Sequence, residues 1–127
     1  MRPVGGWVTS PFGMRVHPVT GVYKLHDGTD FSASCGTPVH AAASGTVVWA
    51  TYQGAYGNQV AVDHGVIGGD DIVTSYSHLS GFAVGSGQGV SAGQVVGYVG
   101  TTGSSTGCHL HFMVYDDGTP VNPENYV

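Results

Sequence analysis

The apolar residues of this chain occur in short runs rich in valine and tyrosine, most of which end at a glycine. No long stretch repeats with the period of about 3.6 residues that marks an amphipathic helix, whereas a strand needs only a few residues between turns. The 22 glycines follow no strict period, which argues against a collagen-like repeat and for many tight turns. The sequence therefore predicts an all-β protein built on an antiparallel sheet of the sandwich or barrel type.

The clearest candidate strands lie in the second half of the chain. They cover residues 59–64, 73–79, 95–99 and 109–115, and residues 37–51 add a strand-like stretch with a turn at Ser44-Gly45. The glycine-rich segments 65–71 and 100–107 are predicted loops, and residues 122–126 a terminal turn. No linker or low-complexity segment divides the 127 residues, so we expect one domain, residues 1–127, with a single core.

The charged residues exclude several classes of partner. The formal net charge is −5, and the only basic residues are Arg2, Arg15 and Lys24. No nucleic acid is expected to bind, because phosphate contacts need several cations on one face. No apolar run approaches the roughly 20 residues that cross a bilayer, so no membrane span is expected. Residues 1–7 lack the apolar core of a signal peptide, so we expect export through a segment outside this sequence or by another route, such as a phage lysis system.

Histidine is unusually frequent, with seven residues against three lysines and arginines, which directs attention to metal or proton-transfer sites. In the predicted strand 109–115, His109 and His111 point to one face, while Leu110 and Phe112 point to the core. Two unpaired imidazoles are costly to bury. This motif alone therefore leaves a solvated surface pair and a metal or catalytic pair equally open.

His26 and Asp30 are four residues apart in the segment HDGTD. A turn followed by a strand allows the imidazole and the carboxylate to converge, and both are zinc donors at about 2.0–2.2 Å. Taken alone, this spacing is explained more simply by a loop with an Asx-turn. His78 lies in the predicted strand 73–79, where a single histidine is usually a core or surface residue. Structural roles are expected for the remaining histidines, His17, His40 and His64.

Together, these motifs resemble one known family. They occur in order along nearly the whole chain as FGMRVHP (12–18), HDGTDF (26–31), GTPVHAA (36–42), GTVV (45–48), GNQV (57–60), YSHL (76–79), GQVVG (93–97) and GSSTGCHLHF (103–112). Each motif is weak alone, but their order and spacing are similar to those of the lysostaphin-type (LytM-like) zinc metallopeptidases, the M23 family. The resemblance implies a mainly antiparallel β fold whose long loops form a substrate groove.

The resemblance also implies residue roles. His26, Asp30 and His111 would bind one zinc ion per chain, and His78 and His109 would form a catalytic pair beside the open coordination position. Three protein ligands that leave a position for water are typical of a catalytic zinc. No HExxH motif is present, so a zinc site in which the glutamate of that motif acts as the general base is excluded.

The implied activity is that of a zinc metalloendopeptidase, a peptidoglycan hydrolase that cuts stem peptides or cross-bridges in cell-wall lysis, remodelling or phage lysis as an endolysin. The expected protein is a secreted, extracellular or wall-associated monomer. Tyr56 or Tyr23 is expected to contact the substrate, whose choice would depend on groove loops at 65–72 and 81–89.

Two features depart from the family pattern. Members usually carry Glu or Gln directly after HxHF, and here that residue is Met113, which would share the face of His111 in a regular strand. Cys35 and Cys108 flank two segments that the resemblance brings together at the zinc, so a Cys35–Cys108 disulfide is predicted. Free thiols or a cysteine ligand are the alternatives.

Two other functions are alternatives to the peptidase. One is a non-catalytic LytM-like module that binds peptidoglycan or activates a hydrolase, and such relatives have usually lost metal ligands that this chain retains. The other is a lipoyl or biotin carrier, which needs a lysine at a hairpin tip. Lys24, the only lysine, lies in neither candidate hairpin.

Overall fold

A computed structural model describes residues 1–16, 21 and 23–127, with only the backbone described for Arg15, Val16, Tyr23 and Lys24. His17 and the side chain of Tyr23, both considered above, lie outside this description. In the part of the chain described, every strand pairing is antiparallel and the only helices are two 3-10 turns, Gly54–Tyr56 and Pro123–Asn125. The predicted all-β, mainly antiparallel fold is confirmed.

Twelve strands are found within the described residues. In chain order they are β1 (Val8–Ser10), β2 (Gly13–Val16), β3 (Tyr23–His26), β4 (Thr29–Ser32), β5 (Pro38–His40), β6 (Gly45–Tyr52), β7 (Asn58–Ile67), β8 (Asp70–Phe82), β9 (Gly89–Val90), β10 (Val95–Val99), β11 (His109–Asp116) and β12 (Thr119–Val121). Ten of them form one sheet with the central order β1-β4-β11-β8-β7-β6-β9. Strands β5 and β10 extend it beside β8, β12 pairs with β11, and β2 and β3 form a separate hairpin.

The four predicted strands are present, but one predicted loop is wrong. Residues 65–71 belong to a long hairpin in which β7 continues to Ile67 and β8 begins at Asp70. Only Gly68 and Gly69 form the turn, with φ values of 62° and 94° that glycine adopts without a steric cost. The glycine content predicts a loop because the exposed end of the hairpin lacks the apolar alternation of a half-buried strand.

The core consists of the apolar face of the central strands. Phe31, Tyr76, Leu79, Leu110 and Phe112 are fully buried, so Leu110 and Phe112 face the core as predicted. The rings of Phe31 and Tyr76 lie 6.3 and 5.4 Å from that of Phe112. These large side chains fix β4, β8 and β11 against one another. The same three strands carry most of the candidate site residues.

The hairpin of β7 and β8 points away from those residues. His78 lies eight residues beyond Asp70 on β8, and a strand rises about 3.3 Å per residue, which places the hairpin turn on the order of 25 Å from His78. The expectation that residues 65–72 form a loop of the substrate groove is therefore wrong. Residues 81–89 begin close to His78, since Gly81 and Phe82 end β8. Their part in substrate choice remains a prediction.

A disulfide joins Cys35 and Cys108, as predicted, with the two Cα atoms 5.3 Å apart. Cys35 follows β4 and Cys108 directly precedes β11, so the bond links the ends of two paired strands. No helix among the described residues is long and apolar enough to cross a membrane.

The disulfide is expected to stabilise the fold. It closes a loop of 73 residues, for which the loss of chain entropy in the unfolded state amounts to at most roughly 4 kcal/mol. Replacing Cys35 and Cys108 together by serine should lower the free energy of unfolding by up to this amount in urea titrations. Wild-type protein unfolded in a reductant should match the variant. Equal unfolding free energies for the oxidised wild type and the variant would contradict the expectation.

Candidate metal and catalytic centre

The pairing of β4 with β11 brings the first three predicted site residues together. In this register Asp30 lies directly opposite His111, and His26 ends β3 just before the turn that leads into β4. One side-chain donor atom from each of His26, Asp30 and His111 lies within 4.8 Å of the others. The carboxylate of Asp30 contacts both imidazoles, with 2.7 Å to Nδ1 of His111 and 3.3 Å to Nε2 of His26.

The outer nitrogens of the two imidazoles are held by separate acceptors. Nδ1 of His26 donates to the carbonyl oxygen of Pro11 at 2.9 Å, because a carbonyl only accepts. Nε2 of His111 lies 2.9 Å from Oδ1 of Asp27. Histidines that bind metals almost always donate their other ring N–H to a carbonyl or a carboxylate in this way.

These contacts make the centre suitable for a cation. With Nδ1 bonded to Pro11, His26 presents Nε2 to the Asp30 carboxylate, so a cation between them would have a donor atom from each side chain. Two imidazole nitrogens and a carboxylate oxygen are a donor set that zinc prefers, so the residues present fit a zinc ion.

The charges of the two aspartates act in the same direction. Burial lowers the pKa of His111, but hydrogen bonds and charge interactions with Asp27 and Asp30 outweigh it and raise that pKa to about 9. Burial raises the pKa of Asp30, yet hydrogen bonds from His111 and His26 hold it well below its usual range. The carboxylates therefore favour a positive charge at this position, whether a proton or a metal supplies it.

The turn between β3 and β4 needs glycine where it passes His111. A Cβ on Gly28 would lie 2.6 Å from the carbonyl oxygen of Phe112 and 2.8 Å from Cε1 of His111. Such distances are shorter than van der Waals contact, so the turn lies this close to the imidazole only because residue 28 has no side chain.

His78 and His109 lie together beside this group, with ring centroids 4.9 Å apart. Nδ1 of His78 donates to the carbonyl oxygen of Thr102 at 2.7 Å, and Nδ1 of His109 donates to that of Gly107 at 2.9 Å. Both rings therefore carry their proton on Nδ1 when neutral, which leaves each Nε2 as an acceptor. Nε2 of His109 is 3.7 Å from Oδ1 of Asp30.

The backbone of His78 is unusual. In a regular strand His78 would point away from the face of Ser77, which pairs with His111. Instead His78 has a φ of 62°, in the left-handed region that residues other than glycine rarely adopt. This break in the alternation turns the imidazole towards His109. Burial and the nearby His109 lower the pKa of His78, although the hydrogen bond to Thr102 opposes them.

Other predicted residues have different surroundings. The side chains of His40 and His64 bond to the carbonyl oxygens of Gly93 and Ser44, which fits their expected structural roles. Met113 is buried and shares the strand face of His111, and its sulfur accepts a hydrogen bond from Tyr115 at 3.5 Å.

Sequence reasoning missed Asp27 and Thr102. Asp27 stood inside the HxxxD segment but was passed over as a spacer between two expected ligands. Thr102 holds His78 through a backbone carbonyl, which every residue type possesses, so no sequence signal marks it. Beside His109, an open cavity of about 620 Å³ lies between residues 4–9 and residues 32–37. Because His109 lines it, this cavity is a candidate for the predicted groove.

Comparisons with known proteins agree with this geometry. The family model described as peptidase family M23 matches residues 24–123. The chain is 44% identical over 116 residues to the DD-carboxypeptidase/endopeptidase Mpg of Neisseria meningitidis serogroup B, which covers 91% of this chain and 26% of that protein. It is 44% identical over 108 residues to the peptidoglycan DD-endopeptidase ShyA of Vibrio cholerae. That match covers 85% of this chain and 24% of ShyA. The chain thus spans about a quarter of the length of these curated relatives.

Solved structures show the same fold. A zinc-containing peptidase from Vibrio cholerae superposes with a TM-score of 0.85 at 37% identity, over 95% of this chain and 37% of that one. The catalytic domain of the antimicrobial peptidase lysostaphin from Staphylococcus simulans superposes with a TM-score of 0.82 at 32% identity, over 95% of this chain and 91% of that one.

Replacing Gly28 by alanine should disturb the centre. The new methyl group must push either the turn or the imidazole of His111 aside, so we expect a loss of unfolding free energy of about 1–3 kcal/mol and weaker zinc binding. Urea unfolding and competition with a chromophoric chelator measure the two effects. Gly89→Ala is the matched control, because a Cβ there meets nothing within 4 Å and the residue lies on β9. Equal zinc affinity in the two variants would contradict this account.

Proposed function

Since this chain belongs to peptidase family M23, we propose that it is a zinc-dependent endopeptidase that hydrolyses peptide bonds in the stem peptides or cross-bridges of peptidoglycan. The observation that carries the proposal is the convergence of His26, Asp30 and His111 within 4.8 Å, beside two histidines whose Nε2 atoms are free to exchange protons. The names of relatives that act on peptidoglycan support the substrate class.

In this proposal His26, Asp30 and His111 hold one zinc ion per chain, and His78 and His109 are the catalytic pair. Bound there, zinc would supply a Lewis acid that polarises a peptide carbonyl and makes water a stronger acid near neutral pH. The protein's own groups do the rest of the work. Asp30 keeps both imidazole ligands in place, since its two oxygens contact one ring each.

The proton transfers fall to His78 and His109. Because their Nδ1 atoms are committed to carbonyl oxygens, each neutral ring presents an accepting Nε2. The lowered pKa keeps His78 uncharged near neutral pH, so it is able to accept a proton from the attacking water. A protonated imidazole of the pair then donates to the amine that leaves.

The proposal extends to the setting of the enzyme. Residues 1–127 would form a single catalytic domain, active as a monomer. A disulfide persists in an oxidising compartment, which together with the proposed peptidoglycan substrate supports a location outside the cytoplasm, extracellular or wall-associated. Lysis, wall remodelling and phage lysis remain three settings for the same reaction.

Peptide products should appear only when the metal and the histidine pair are intact. We expect mass spectrometry of purified peptidoglycan to detect new peptide termini with the zinc-loaded protein and none with a chelator. His109→Ala or His78→Ala should lower the rate by about 10²- to 10⁴-fold, the usual contribution of a proton-transfer group. His64→Ala, which lies outside the centre, should cut normally.

The alternative is a non-catalytic module that binds peptidoglycan or activates a hydrolase. If the folded, zinc-loaded protein cuts no peptide bond in walls of several types but sediments with them, that alternative replaces the enzyme.

The metal ligands are tested separately from the catalytic pair. Asp30→Ala removes the carboxylate that contacts both His26 and His111, so it should abolish stoichiometric zinc binding in elemental analysis after dialysis. His109→Ala should keep one zinc per chain. If Asp30→Ala retains a full equivalent of zinc, the proposed ligand set is wrong.

A further inference from the structure

One residue that contacts the centre is neither a proposed ligand nor a member of the proposed catalytic pair. This residue is Asp27, whose Oδ1 lies 2.9 Å from Nε2 of His111. His111 is almost fully buried, with 6% of its surface exposed. A buried ring nitrogen without a partner would carry the full cost of desolvation, so this acceptor matters to the state of the ring.

The neighbouring strand position offers His111 a much poorer acceptor. Met113 is the next residue on the same face of β11 and is 1% exposed, but a thioether sulfur is only a weak acceptor. That sulfur also receives the hydroxyl of Tyr115. An acceptor for the Nε2 proton of His111 must therefore come from another element, and the β3–β4 turn provides it through Asp27.

The second carboxylate oxygen of Asp27 also has a hydrogen-bond partner. Oδ2 accepts a hydrogen bond of 2.5 Å from the hydroxyl of Tyr56. The ring of Tyr56 also stacks on that of His111, with centroids 5.9 Å apart and planes inclined by 21°. Tyr56 therefore lies alongside the imidazole and bonds to the carboxylate that accepts from it.

The 3-10 turn that carries Tyr56 is anchored to the loop that orients His78. Ser104 N donates to the carbonyl oxygen of Ala55, and Asn58 N donates to Oγ1 of Thr102. Gly57 packs so closely on Thr102 that a Cβ there would lie 2.3 Å from its carbonyl carbon. The turn that carries Tyr56 is therefore held by hydrogen bonds against the loop that orients His78.

We propose that Asp27 is a positioning residue of the metal centre: it accepts the Nε2 proton of His111, so that Nδ1 faces Asp30 and the metal, and Tyr56 holds it in place. The inference rests on the proposed zinc site. Only one tautomer of His111 satisfies Asp27 and leaves a lone pair on Nδ1, so the contact selects the nitrogen that binds. Tyr56, expected from the sequence to contact substrate, acquires a role within the protein.

Zinc affinity provides the first test. Competition with a chromophoric chelator should show binding by Asp27→Ala that is 10- to 100-fold weaker than wild type, the range usual for loss of such a partner. Asp27→Asn keeps an acceptor oxygen without the charge and should lose less. Tyr56→Phe removes one hydroxyl and should also lose less than Asp27→Ala.

Matched controls separate this role from general effects of charge or packing. Glu124→Ala removes one exposed carboxylate, and Tyr52→Phe removes one hydroxyl from a tyrosine that is 60% exposed. Both should bind zinc as the wild type does. Wild-type zinc affinity in a folded Asp27→Ala protein, or an equal loss in Glu124→Ala, would overturn the proposal.

Nitrogen-15 NMR of the imidazole rings gives a readout that a merely structural role would not move. In the zinc-loaded wild type, His111 should carry its proton on Nε2 and bind through Nδ1, and the protected Nε2–H signal should be lost in Asp27→Ala. Coordination through Nε2 would overturn the inference.

If the wild type binds no zinc, the proposed function fails, and the metal-free spectra still test Asp27. An Nε2–H signal of His111 that disappears in Asp27→Ala supports the contact, whereas an unchanged signal refutes it.

Discussion

The register between β4 and β11 is the constraint on which the centre depends. It sets Asp30 opposite His111 on one face, while Phe31 and Phe112 take the buried face. A slip of one residue would exchange the faces of a strand and move the imidazole into the core. Because the same pairing buries large apolar side chains, core packing and the geometry of the candidate centre are fixed together.

This coupling explains how a short turn and two paired strands bring the residues of the candidate centre together. The carboxylate of Asp30 is fixed by the sheet, and the imidazole of His26 reaches it from the end of β3 while the carbonyl of Pro11 holds its outer nitrogen. The disulfide then ties the segment after β4 to the start of β11, one residue before His109. Covalent and hydrogen-bonded restraints thus act on the same pair of strands.

The sequence predicted those parts of the centre that follow regular strand geometry. The alternation of His109, Leu110, His111 and Phe112 places two imidazoles on one side and two core residues on the other, and the structure has this pattern. It could not predict the break at His78, because a positive φ at a residue other than glycine arises from tertiary contacts such as the bond to Thr102. The loop predicted at residues 65–71 is wrong for a different reason: the end of this hairpin is exposed, so its strands lack the apolar alternation that would identify them.

The electrostatic balance of the candidate centre favours a positive charge between the two aspartates and the two histidines. A proton on His111 offsets one negative charge, but Asp27 and Asp30 both stay ionised, because hydrogen bonds from His111 lower the pKa of each despite burial. Two partly buried carboxylates close to His111 and His26 make this position electronegative, which favours a bound cation. The disulfide next to β4 and β11 helps to keep together the two strands that carry Asp30 and His111.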